Sequence, residues 1–289
     1  MKGETIIISN ALLNGAFVDI TIDKGIISHI DPHTSHLSPF TSHLIEASGF
    51  AVFPGLCNMH SHAPMTLFRG LGDDQPLDVW LNDYIWPAEQ KLTDELVYKG
   101  TLQACREMLA SGTTAFNDMY FRLPAMAQAV KESGIRAMLG FNIFGDAEEI
   151  ESLKLIIENS AAASNPLRYS IAPHSIYTVS EKGLRRCADA CKELGVPMHI
   201  HMSETQKEVD DCLRKHGCRP WEDLDKLGIL DKLGQNIIAA HCLHLSDNEI
   251  RLIGDQQNSS RFLRCPVQHR VRLPLRLRRV LGTIRCSHS

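Results

Sequence analysis

His60 and His62 stand two residues apart at the end of the stretch Pro54-Gly55-Leu56-Cys57-Asn58-Met59-His60-Ser61-His62. On an extended backbone that spacing sends both imidazoles out of one face. Neutral imidazoles side by side can grip one metal ion, zinc by first choice and ferrous iron as the alternative. A catalytic centre takes about three protein ligands and keeps one position open. The segment 196–202 offers the third ligand as His199 or His201 on one strand face. Spacing alone does not choose between them, although His201 is nearer the strand end. Glu204 follows three residues later, where the chain would turn over the rim, and is placed to deliver a proton to a substrate nitrogen. His241 closes another strand and would orient or steady a metal-activated water. These residue types in this pattern point to metal-assisted hydrolysis. A two-metal version needs a bridging group, often a modified lysine, from the strand ending in Pro173-His174. That strand holds no lysine, so one divalent metal is expected.

The elements that must position these side chains follow from the hydrophobic pattern. Residues 4–9, 16–22 and 25–30 are short, rich in Ile and Val, and punctuated by Asn14-Gly15 and Lys24-Gly25, which predicts a small antiparallel unit. The segment 31–43 reads as a loop, and His29, His33, His36 and His43 as loop or surface residues. The apolar run Phe50-Ala51-Val52-Phe53 reads as the end of a buried strand leading into the histidine pair. Beyond it, helices are predicted at 93–111, 123–133, 147–163, 180–194, 205–215 and 246–256. They alternate with strands at 113–119, 135–143, 167–172, 196–202, 236–241 and 261–267. With the strand carrying His60 that makes seven, and regular alternation predicts a parallel sheet closed as a βα barrel. The 139 residues from His62 to His201 allow about 35 for each of four βα units, close to the ~31 of an ordinary barrel. A doubly wound sheet is the competitor, but no Gly-rich phosphate turn follows any strand. In a barrel, functional groups gather at the C-terminal strand ends. The polar residues closing these strands are His60, His62, Asp118, His174, His201 and His241. Asp118 reads first as structural, capping a helix; Cys242 and His244 read as packing and loop residues.

Composition narrows the classes. The formal charge of −4 hides an asymmetry, because residues 261–289 hold eight arginines and no lysine or acidic residue. Residues 1–260 therefore carry −12, which argues against nucleic acid as the main partner. No apolar run approaches a membrane span, and Met1-Lys2-Gly3-Glu4 runs straight into strand-like sequence without a secretory signal. The nine cysteines lack paired spacing, so reduced thiols in a cytoplasm are expected.

The ordered set of motifs resembles the amidohydrolase superfamily, and within it the branch of S-adenosylhomocysteine and 5′-methylthioadenosine deaminases. It comprises Pro54-Gly55 with His60-Ser61-His62-Ala63-Pro64-Met65-Thr66-Leu67-Phe68-Arg69-Gly70, and Asp73-Asp74-Gln75-Pro76-Leu77 with Trp80-Leu81, Ile85-Trp86-Pro87-Ala88-Glu89. It continues through Gly112-Thr113-Thr114, Phe116-Asn117-Asp118-Met119-Tyr120, Ala172-Pro173-His174-Ser175, His199-Ile200-His201-Met202-Ser203-Glu204-Thr205 and Ala240-His241-Cys242-Leu243-His244-Leu245. The resemblance implies metal ligands His60, His62 and His201, a proton-shuttling Glu204, and His241 beside the activated water. It also implies that Trp80, Glu89 and His174 contact an adenosine-like substrate, Glu89 at the ribose hydroxyls. The implied reaction is hydrolytic deamination at C6 of adenine with release of ammonia. An arginine that some members carry after the third strand is not evident, and Phe141 stands in that region.

The pattern is lost after Cys265-Pro266-Val267. The family's eighth strand brings a metal-binding Asp in a Gly-Thr-Asp context; here Leu281-Gly282-Thr283 is followed by Ile284. The expectation is an α/β metal-dependent hydrolase of the (βα)8 TIM-barrel type lacking its last strand. Its parts are a small β part at 1–50, barrel strands one to seven at 51–267, and a non-family Arg-rich tail at 268–289. A shifted reading frame or decayed gene would explain that tail; a basic interaction tail is the rival reading. Because the aspartate is missing, weakened metal binding and impaired turnover are expected. Other readings are a guanine or cytosine deaminase, an s-triazine chlorohydrolase, or a remnant that binds metal or purine without turnover. The expected partner is a small adenosine-like molecule, with neither nucleic acid nor membrane, and the sequence is compatible with a homo-oligomer.

Overall fold

The computed structural model describes residues 5–34, 43–160 and 167–255. The expected strand 261–267 and the Arg-rich segment 268–289 lie outside the described residues. The chain divides into two units at Gly55/Leu56.

The first unit is a four-stranded sheet of β1 (Thr5–Leu13), β2 (Ala16–Asp23), β3 (Ile26–Pro32) and β4 (His43–Glu46), in the order β3-β2-β1-β4. The three antiparallel strands are those the sequence predicts. Both hairpin turns place two successive residues at positive φ, Asn14 and Gly15 at 50° and 85°, Lys24 and Gly25 at 52° and 81°, the backbone that matches strand twist in a two-residue turn. β4, paired parallel to β1, lies where a loop is expected to end. Phe50–Phe53 is not a buried strand: Phe50 and Phe53 are exposed, at 69% and 80%. The run is held to this unit by Leu12 N–H to Phe50 O and Val52 N–H to Leu12 O, each 2.9 Å. Pro54-Gly55 separates it from the barrel strand.

The second unit carries β5 (Leu56–Ser61), β6 (Thr113–Tyr120), β7 (Arg136–Ile143), β8 (Leu167–Pro173), β9 (Met198–Met202) and β10 (Ile237–His241). They form one parallel sheet in strict sequence order, the progression of a βα-barrel wall. Between β5 and β6 run a 3-10 turn (Ala63–Phe68), α1 (Leu77–Val79), a π-helical turn (Trp80–Ile85), α2 (Trp86–Glu89) and α3 (Asp94–Ala110). The other crossovers are α4 (Leu123–Ser133), α5 (Ile150–Ser160), α6 (Glu181–Leu194), and α7 (Gln206–His216) with α8 (Pro220–Lys226) and α9 (Ile229–Leu233); α10 (Asp247–Asp255) follows β10.

The sequence specifies the long helices through caps and one apolar face. Thr93, Ser180 and Thr205 accept the N–H of Leu96, Gly183 and Glu208 at the starts of α3, α6 and α7. Gly134, Gly195 and Gly217 end α4, α6 and α7 in the left-handed region. α8 and α9 are absent from the sequence prediction; each is under ten residues and Gly228 breaks the period between them. β9 is buried at all five positions, as expected where helices and barrel interior cover both faces. No disulfide occurs among the described residues, and no described helix is long and apolar enough to cross a membrane.

Candidate metal centre

At the C-terminal ends of β5 and β9 three imidazoles converge. Nε2 of His201 lies 3.2 Å from Nε2 of His60 and 3.3 Å from Nε2 of His62, and one ligand atom from each of the three residues lies within 4.8 Å of the others. Nδ1–H of His62 donates to the Met119 carbonyl (2.6 Å), and Nδ1–H of His201 donates to the His174 carbonyl (2.8 Å). A neutral ring that donates from Nδ1 presents a bare lone pair at Nε2. His62 and His201 thus face each other with lone pairs and no proton between them, an arrangement that calls for a cation. The spacing fits one: two nitrogens about 2.0–2.1 Å from a tetrahedral zinc stand about 3.3–3.4 Å apart. Burial keeps the rings neutral. It holds His60 and His201 far below the usual imidazole range, with neighbouring imidazoles adding to the effect, and it lowers His62.

His199, the other candidate on β9, is wholly buried behind His60, with Nε2 2.9 Å from His60 Nδ1. Its position two residues back along the strand puts it one layer deeper, away from the shared point. Asp118 is also fully buried. Its Oδ2 accepts from Ser61 Oγ (2.8 Å) and from the Ala63 N–H (2.7 Å). It braces the chain on both sides of His62, and burial pushes its carboxyl up to about 7.

Glu204 and His241 meet at the rim, with His241 Nε2 3.4 Å from Glu204 Oε1. The His241 ring stacks on His201 at 5.2 Å. Burial first, then the nearby charge of Glu208, raises the Glu204 carboxyl to about 7, so it can hold or release a proton near neutrality. The turn is built under strain: Ser203, His241 and Cys242 all sit at positive φ, 49°, 70° and 51°. Glu208 holds one side of it by accepting the N–H groups of Ser203 (2.9 Å) and Glu204 (2.8 Å). Cross-bonds from Cys242 N–H to Met202 O and from Leu243 and His244 N–H to Ser203 O stitch the β10 end onto it.

His174 links this cluster to a cavity. Its ring lies 4.8 Å from His201 and stacks on Phe144 at 4.9 Å, and Phe144 stacks on Phe121 at 6.1 Å. Burial lowers the His174 imidazole to about 4, and its Nδ1 pairs with Thr178 Oγ1 at 3.0 Å. Phe121 and Phe144 line a cavity of about 650 Å³ together with Phe141, Trp86 and Glu89. Burial raises the Glu89 carboxyl, and the Tyr120 hydroxyl partly draws it back. Trp80 is not among the lining residues; its indole N–H donates to the Leu71 carbonyl at 2.9 Å. The structure therefore brings His60, His62, His201, Glu204, His241 and His174 to one rim, with Glu89 in the adjoining cavity, and leaves Trp80 outside that wall. The motifs include Trp86 of this wall but single out neither Phe121 and Phe144 nor the Glu208 brace. The signal for Phe121 and Phe144 is their place directly after β6 and β7.

Residues 51–279 match the model of the amidohydrolase family. The chain is 43% identical over 220 residues to a 5′-deoxyadenosine deaminase of Methanothermobacter thermautotrophicus, covering 74% of this chain and 51% of that one. It is 40% identical over 255 residues to the 5′-deoxyadenosine deaminase of Methanocaldococcus jannaschii, covering 86% of this chain and 60% of the relative. It thus spans about half to three-fifths of the length of these relatives. Among solved structures, an adenosine deaminase from Xanthomonas campestris with bound zinc aligns with a TM-score of 0.78 at 29% identity, over 88% of this chain and 61% of that one. A guanine deaminase from C. acetobutylicum shares the fold, with a TM-score of 0.73 at 21% identity over 88% of this chain and 65% of that one.

Proposed function

The chain belongs to the amidohydrolase family, and from that premise we propose that it carries the metal-binding and proton-transfer groups of a hydrolytic deaminase for an adenosine-like nucleoside. The observation that carries this is the convergence of the His60, His62 and His201 Nε2 atoms beside Glu204. These three histidines would hold one divalent cation, zinc in first place. Bound there, such an ion supplies Lewis-acid activation of water at ordinary pH.

The chain's own residues do the rest. Glu204, half-protonated near neutrality, would donate to the ring nitrogen beside C6, take up the proton that the attacking water gives off, and pass it to the departing amine. His241, 3.4 Å from Glu204, would orient the attacking water. Glu89 would accept hydrogen bonds from ribose hydroxyls at the cavity wall, with the Phe121 and Phe144 faces beside it to stack on a flat heterocycle. His174, neutral and anchored through Nδ1 to Thr178, offers its other nitrogen to the substrate. Water adds at C6, the C6–N bond breaks, and ammonia and the inosine analogue leave. The 5′-methylthioadenosine and S-adenosylhomocysteine class is the proposed substrate group.

Residues 261–289, where the resemblance expects a metal-contacting aspartate, contain no acidic residue. Metal binding through the three histidines together with release of ammonia from the nucleoside is the behaviour that the proposal expects. Metal analysis combined with ammonia release from 5′-methylthioadenosine, with guanine in parallel, tests it. A protein that takes up no zinc, or that deaminates guanine and spares the nucleoside, would refute the proposal.

A further inference from the structure

Three ligand rings must each present an unprotonated Nε2, and in an imidazole that depends on what the other nitrogen does. Backbone carbonyls settle it for His62 and His201, through Met119 and His174. Among the described residues His60 has no such carbonyl partner. Its Nδ1 rests 2.9 Å from Nε2 of His199, and two imidazole nitrogens at that distance share one proton. If His60 keeps it, its Nε2 is free to bind a cation; if His199 keeps it, His60 Nε2 carries a proton and points it into the site.

A bound cation requires the first, with His199 as the partner behind His60. The His199 ring is completely buried. Under the metal reading His60 is a neutral ring bound through Nε2, so its proton sits on Nδ1, 2.9 Å from Nε2 of His199. Nε2 of His199 is then the acceptor. The Asn117 amide is 3.2 Å from Nδ1 and 3.4 Å from Nε2 of the same ring and donates to the Met59 carbonyl at 3.0 Å. It packs against the ring without favouring either nitrogen. Met59 precedes His60, so Asn117 ties the His199 ring and the His60 backbone into one unit.

We propose that His199 is a positioning residue that accepts the Nδ1–H of His60, fixes His60 in the ligand-competent tautomer, and so sets the metal affinity of the centre. This rests on the metal reading above. It assigns the two histidines of the His199-Ile200-His201 motif different tasks: His201 faces the cation, and His199 faces a ligand from behind.

The test uses the full chain, metal-free, with ¹⁵N-labelled histidine. The His60 ring is identified by its loss in His60→Gln, and it should be the Nδ1–H tautomer in the wild type. Zinc affinity, measured by competition with a chromogenic chelator, should fall about 10–100-fold in His199→Leu, the usual loss when a partner behind a ligand is removed. His199→Gln, which keeps an acceptor oxygen, should stay within about 3-fold. An Nε2–H tautomer of His60 in the wild type overturns the proposal by itself, whether or not either variant folds. So does a His199→Gln that folds yet loses as much affinity as His199→Leu, or a His199→Leu that binds as tightly as wild type. A wild-type chain that shows the Nδ1–H tautomer but binds no zinc would instead sink the metal reading.

Discussion

Replacing Gly183 by alanine pits helix propensity against packing. Gly183 lies in the first turn of α6, where its N–H reaches the Ser180 cap, and propensity alone favours alanine by about 0.8–1.0 kcal/mol. A Cβ at this position would stand 2.3 Å from the Gly145 carbonyl oxygen and 2.8 Å from Val179 Cγ1. The oxygen cannot swing aside as a side chain would, because it already accepts the Ser180 N–H at 2.9 Å. Relieving the contact means moving the 144–146 loop by about an ångström, an overpacking cost of about 1–3 kcal/mol, with about 0.5–1.5 kcal/mol more for the weakened hydrogen bond. The net is a destabilisation of about 2 kcal/mol, or a melting temperature lower by roughly 4–8 °C for a chain of this size. Phe144 precedes Gly145 and stacks on His174, so the same shift should loosen the cavity wall and weaken binding of an adenosine analogue. Gly254→Ala in α10, where nothing among the described residues lies within 4 Å of the added carbon, is the control and should gain a few tenths of a kcal/mol. Thermal unfolding of both variants decides the matter. A Gly183→Ala protein that melts at or above wild type would refute the packing argument.

Three further outcomes follow from the centre. Zinc at about a hundred times its dissociation constant should stabilise the chain by about 2.7 kcal/mol, a rise of roughly 5–11 °C that His201→Ala abolishes; an unmoved melting curve in wild type counts against the three-histidine site. Glu204→Gln should leave zinc content intact while lowering ammonia release about 10²–10⁴-fold, and unchanged release would remove Glu204 from proton transfer. Asp118, raised to about 7 in the fold from an ordinary value near 4, loses nothing below pH 4. Its ionisation then penalises folding increasingly until about pH 7. From pH 5 to pH 8 wild type should therefore give up about 2–3 kcal/mol that Asp118→Asn does not; parallel stability–pH curves from denaturant titrations would contradict this.

The helices α3, α4 and α6 and the strands β6 to β10 were legible because burial imposes a period, and caps such as Thr93 and Ser180 mark the edges. Phe50–Phe53 shows the limit, since apolarity says that a run has a partner and not which unit supplies it. The site was legible in the same partial way. A spacing of two places His199 and His201 on one face, but it does not say how deep each lies. Depth comes from register: Ser61 pairs with Asp118 and His201 with Ala240, so the ligand layer sits at the strand ends. His199 pairs with Ile238, two residues (about 6–7 Å) further down. The same side chain is therefore a ligand in one layer and a hydrogen-bond partner in the next. No pattern within β5 or β9 alone distinguishes the two roles, because the difference is made by where neighbouring strands place their ends.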